Sequence, residues 1–149
     1  MKYDIAFSIP YYTESNSTFP IPVNGNYNYW GPLIKYFLPK SDTIEIHCWN
    51  EEVDVIKEII KINFNNYEMA IEKNITVFRI KKCFVISDYL LNKYITNGEF
   101  KWFTVNLDKG EKSVFHSGHW ATEFFVPNAT DNVFEVIKRV TPNETSIHQ

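Results

Sequence analysis

The fold class predicted by this 149-residue chain is α+β: a mixed, largely antiparallel sheet with helices packed on one face. Three observations predict it. In the N-terminal half, segments of period-two alternation are interleaved with segments of helical spacing. Further on, three short strand-like runs follow one another, and an amphipathic helix closes them. No repeat, linker or low-complexity block divides residues 1–149, so one domain is expected.

The elements follow in order. From Lys2 to Ile9, Tyr3, Ile5, Phe7 and Ile9 alternate with Lys2, Asp4, Ala6 and Ser8, the pattern of a half-buried strand that Pro10 stops. Residues 11–28 are rich in Pro, Asn, Ser and Thr and read as one long loop, a length that is often functional. Trp30, Leu33, Ile34, Phe37 and Leu38 recur at helical spacing until Pro39. Thr43–Trp49 alternates again, with Ile44, Ile46 and Cys48 on one face and Glu45, His47 and Trp49 on the other. Asn50 then reads as the N-cap of a helix to Ile62, with Glu51, Glu52 and Asp54 in its first turn, where the helix dipole favours anions.

Residues 63–66 read as a turn, and 67–74 fit neither period and stay unassigned. Ile75–Ile80 is β-branched and reads as a strand, with an extension to Ile86 left open. Ser87 or Asp88 caps a short helix through Ile95, closed by Asn97-Gly98. Phe100–Asn106 and Lys112–His116 flank a loop at 107–111 that carries Gly110, as hairpins of that length do. Ser117-Gly118 reads as a second reversal and His119–Val126 as a third strand. Thr130–Val140 is an amphipathic helix with Val133, Val136, Ile137 and Val140 inward, and 141–149 is a polar tail expected to fray.

Twelve Phe, nine Tyr and four Trp supply a large core without covalent staples. The net charge is -3, Lys81-Lys82 is the longest basic run, and Arg79 and Arg139 are the only arginines. Nucleic-acid binding draws on clustered Lys and Arg that release phosphate counterions, so no direct nucleic-acid partner is expected. No apolar stretch approaches the 18 or so residues of a membrane span, and the acid at Asp4 and the stop at Pro10 argue against a secretory signal. The expected compartment is the cytoplasm, with Cys48 and Cys83 as reduced core residues.

Known chemistries are mostly excluded. The five glycines stand singly, which removes phosphate loops and dinucleotide fingerprints, and no G-x-S-x-G, H-E-x-x-H or C-x-x-C occurs. No cofactor or metal is expected. The densest polar cluster is His116, Ser117, Gly118 and His119 with Glu123, the alternative site of a small enzyme. On a continuous strand, however, His119 and Glu123 stand about 13 Å apart, too far for one base and its orienting group.

Recognition fits the remaining features better. The segment from Tyr11 to Trp30 mixes aromatics with Asn and Ser, the make-up of an adaptable contact surface, so Tyr12, Glu14, Tyr27 and Tyr29 are expected to face a partner. Glu51, Asp54 and Glu58 follow at i, i+3 and i+7 as a landing strip for a basic protein, partly neutralised by Lys57 and Lys61.

The small acidic chain, rich in Lys, Asn and Ile, resembles bacterial toxin-immunity proteins of contact-dependent growth inhibition systems. Ser117-Gly118-His119-Trp120-Ala121-Thr122-Glu123 is similar to the end of some members. The resemblance implies a cytosolic protein that binds a cognate toxin, often a nuclease, and it transfers no individual functional residue.

Overall fold

In the computed structural model, residues 1–63 and 66–149 are described. The strands are β1 (Tyr3–Ser8), β2 (Tyr11–Tyr12), β3 (Ile21–Pro22), β4 (Thr43–Trp49), β5 (Tyr67–Glu72), β6 (Ile75–Lys81), β7 (Ile95–Thr96), β8 (Glu99–Phe100), β9 (Thr104–Lys109), β10 (Lys112–Gly118), β11 (Glu123–Ala129) and β12 (Ser146–His148). The helices are α1 (Trp30–Phe37), α2 (Val53–Asn63), α3 (Phe84–Asn92) and α4 (Asp131–Val140). Eight strands form one sheet in the order β12-β1-β11-β10-β9-β4-β6-β5, with every recorded pairing antiparallel. β2 with β3 and β7 with β8 make two small hairpins.

The helices form one layer, in which α4 packs on α1, α1 on α3 and α3 on α2. Alternation puts Ile5, Phe7, Ile44, Ile46, Cys48, Phe78, Val105, Leu107, Phe115 and Phe124 on the helix side of the sheet, and all are buried. Trp30, Leu33, Ile34 and Phe37 of α1 meet them. The aromatic contacts are close: Trp30 meets Phe100 edge-on at 4.7 Å, Phe37 stacks on Phe115 at 4.8 Å, and Phe7 stacks on Phe124 at 4.7 Å. Each such pair contributes about 0.5–1.5 kcal/mol beyond the area it buries. The fold class and the one-sided helix layer are those the sequence predicts.

Several local expectations change. The long loop contains the β2–β3 hairpin, in which Tyr11 pairs with Pro22 and Tyr12 with Ile21. The second helix starts at Val53 and Asn50 does not cap it. Asn50 instead uses its side chain to clamp the β5–β6 turn, donating to the Lys73 carbonyl at 2.8 Å and accepting from Thr76 at 2.7 Å. The unassigned stretch holds β5, while the turn expected at 63–66 lies partly outside the described residues. α3 starts at Phe84, so the preceding strand does not extend to Ile86 and the cap is not at Ser87 or Asp88.

Asn97 and Gly98, at φ 51° and 80°, form the tip of the β7–β8 hairpin instead of a helix end. Ser117 and Gly118 belong to β10. The reversal lies at 119–122, so the next strand begins at Glu123 and not at His119. The tail does not simply fray, because β12 pairs with β1 and forms one edge of the sheet.

Candidate functional site on the open sheet face

The side chains that alternate with the core point away from the helices. Strand register aligns one row of them across all eight strands: Glu68, Arg79, Glu45, Asn106, His116, Phe125, Ala6 and His148. Neighbours in such a row stand about 4.5–5.5 Å apart at Cβ, so they interact directly.

The middle of the row is a fixed hydrogen-bond network. Glu45 Oε2 accepts from His47 Nε2 at 2.8 Å and from Asn106 Nδ2 at 3.0 Å, while Glu45 Oε1 accepts from Arg79 at 3.2 Å. Arg79 also donates to Asp108 at 3.2 Å. Asn106 donates one amide hydrogen to Glu45 and offers its oxygen to His116, whose Nδ1 lies 2.6 Å away. His116 Nδ1 is therefore the donor, and in the neutral ring Nε2 keeps its lone pair.

The electrostatics follow from these contacts. Hydrogen bonding to His47 leads the causes that lower the Glu45 carboxyl to about 2, against the cost of its burial, with Asn106 and Arg79 adding to the drop. Burial, followed by the neighbouring His47, lowers the His116 imidazole below its ordinary value, with Glu123 opposing. A Cβ placed on Gly118 would lie 2.9 Å from His116 Nε2, so the glycine two positions on leaves the ring its room.

Of the three residues of the alternative enzyme site, His116 and Glu123 lie on the adjacent strands β10 and β11 and His119 in the reversal between them. Glu123 lies beside β10, opposite Gly118, within electrostatic reach of His116. His119 sits in the reversal at the sheet end, its ring 5.1 Å from Tyr11 and its Nδ1 2.9 Å from Thr122 Oγ1. The Thr122 hydroxyl is already donated to the His119 carbonyl at 2.8 Å, so Nδ1 is the donor in that contact. Among the described residues no three His, Cys, Asp or Glu side chains gather as metal ligands.

That reversal is strained. His119, Trp120 and Ala121 take φ of 48°, 51° and 64° in succession, a left-handed turn of non-glycine residues costing roughly 1–2 kcal/mol each. The surroundings hold it in place. Tyr29 donates its hydroxyl to the Ala121 carbonyl at 2.6 Å, Ile9 N–H donates to the Thr122 carbonyl at 2.8 Å, and Trp120 N–H to the Phe103 carbonyl at 3.1 Å. Phe19 and Phe103 pack on the Trp120 ring at 4.9 and 4.8 Å.

The expected partner-facing residues divide. Tyr12 and Glu14 are exposed. Tyr27 and Tyr29 are not surface anchors: they are 7% and 2% exposed, Tyr27 packs on Phe100, and Tyr29 holds the reversal. Glu51 precedes α2, so the acids are not one helical strip. Glu51 and Asp54 are exposed, whereas Glu58 accepts from Lys101 and Tyr89, both at 2.7 Å. Burial would raise the Glu58 carboxyl, but these two donors outweigh it and the net direction is down. Cys48 is buried, as expected, and burial pushes its thiol up to about 12. Cys83 is exposed, contrary to expectation, because α3 turns Phe84 and Val85 outward.

Sequence reasoning missed Asn106, Arg79, Asp108 and Phe125. Alternation in Thr43–Trp49 did put Glu45 and His47 on one face, but their partners come from strands up to 61 positions away. No helix among the described residues is long and apolar enough to cross a membrane. Comparison with protein-family models, with curated proteins and with solved structures finds no match.

Proposed function

We propose that this chain is a cytoplasmic binding protein of the immunity type, which neutralises a cognate protein toxin by tight association and docks it on the open sheet face. The observation that carries the reading is the uncovered row across eight strands with a rigid polar network at its centre. Side chains already held in place lose little entropy on binding, which favours a tight complex. Six carboxylates belong to this face, those of Asp4, Glu45, Glu68, Glu72, Asp108 and Glu123, against the cations Arg79 and Lys81. With the lone pair of His116 Nε2 they make a surface of acceptors, suited to Lys and Arg of a basic partner such as a nuclease. Phe125, 39% exposed within the row, and Tyr11 and Tyr12, which follow β1 beside the β10–β11 reversal, provide aromatic anchors.

Co-expression with the toxin domain encoded immediately upstream tests the reading. The chain is expected to restore growth, and the purified pair to run as one stoichiometric complex. Failure to protect, or protection through catalytic turnover of the toxin without a lasting complex, would remove it.

A further inference from the structure

The two edges of the sheet are unequal. β12 is three residues long, too short to template further pairing. β5 runs six residues in unbroken register with β6, and no pairing is recorded on its outer side among the described residues. Natural edges are blunted by proline, a bulge or charged side chains, lysine above all. Tyr67–Glu72 has no proline, lysine or bulge, and its two charges, Glu68 and Glu72, both lie on the open face, away from Met69 and Ile71. On its helix side Met69 and Ile71 are 46% and 67% exposed, unusual for large apolar side chains in register with a buried strand.

We infer that β5 pairs antiparallel with β5 of a second copy of this chain across a two-fold axis at Met69. The pattern of the strand selects this register. Centred on Met69, Tyr67 lies opposite Ile71, Met69 opposite Met69, and Glu68 opposite Ala70 of the other copy. The helix side becomes a continuous apolar row, and no like charges face each other. Centring the axis on Ala70 would set Glu68 directly opposite Glu72 twice, and centring it on Glu68 would oppose the two Glu68 side chains. Like charges in these positions destabilise a sheet. An isologous pairing of this kind closes on itself, and the short β12 edge stops growth at the far side, so the assembly is a dimer and not a fibre. The pairing is independent of the toxin-binding reading, since the open face remains free in both copies.

Light scattering coupled to size exclusion, with cysteine trapping, tests it. Wild type is expected at twice the 17.6 kDa chain mass. Ile71→Lys, at an exposed position, is expected at the chain mass with unchanged circular dichroism and a melting temperature that no longer depends on protein concentration. In a Cys83→Ser background, Met69→Cys brings two thiols face to face, and diamide should cross-link it within the dimer. Ala70→Cys should cross-link far less, because each Cys then faces Glu68. Wild type at the single-chain mass across the accessible concentrations, an Ile71→Lys variant that stays dimeric, or faster cross-linking at 70 than at 69 would each overturn the proposal.

Discussion

The Tyr29 hydroxyl donates a 2.6 Å hydrogen bond to the carbonyl of Ala121, 92 positions along the chain, and so ties the loop before α1 to the strained reversal between β10 and β11. Both residues are buried. Tyr29→Phe keeps the ring and leaves a buried carbonyl without its donor, at an expected cost of about 1–3 kcal/mol. Chemical denaturation measures it. A variant as stable as wild type would show that the reversal is held by its other contacts alone.

Glu58 neutralises a buried cation. The Lys101 side chain is 7% exposed and its ammonium lies 2.7 Å from the Glu58 carboxylate. Glu58→Ala strands that charge and is expected to lose roughly 1–3 kcal/mol, less than for a fully buried pair because Glu58 is partly solvated. Glu51→Ala, at an exposed residue outside α2, should stay within about 0.5 kcal/mol of wild type. Equal losses at the two positions would contradict the assignment.

Thiol labelling distinguishes the cysteines. Cys83 is exposed and Cys48 lies in the core with its thiol pushed up to about 12, so the native protein should take one equivalent of a maleimide quickly and a second only on unfolding. Rapid labelling of both would show that the sheet opens around Cys48.

The polar network makes stability depend on pH in two windows. His116 has a lowered pKa when folded, so below about pH 6.5 the unfolded chain binds a proton that the folded chain does not, and stability falls as pH falls. His116→Gln should flatten that slope. Glu45 contributes stability that is present above its ordinary value of 4.5 and is lost as pH falls through about 2. Glu45→Gln should remove that acid-side loss, starting from lower stability at neutral pH. Urea midpoints from pH 2 to 8 measure both.

Burial decided how much of this was legible in the sequence. Lys2–Ile9, Thr43–Trp49 and the α1 segment carry clean periods because one face of each is fully in the core. β5 is an edge strand with Met69 and Ile71 exposed, so no such contrast marks it. α3 has Cys83 at its N-cap without a side-chain cap, which leaves no boundary signal and shifts the apparent start toward Ser87. The reversal at 119–122 is built from left-handed His, Trp and Ala, none a turn former, while the neighbouring Gly118 serves His116. Tyr27 and Tyr29 look like surface residues because Asn24, Asn26 and Asn28 surround them, yet their rings turn inward. The Asn106–His116 contact depends on strand register, which local pattern does not encode.

Binding kinetics of two variants against the cognate toxin test the central claim, that the open sheet face is the docking surface. One combines Phe125→Ala with Glu123→Gln on that face, and the other combines Glu51→Gln with Asp54→Asn at the start of α2. The first is expected to weaken binding at least about tenfold, mainly through faster dissociation as the aromatic anchor is lost. The second is expected to dissociate like wild type. Wild-type affinity in the first variant together with a large loss in the second would contradict the account and put the interface at α2.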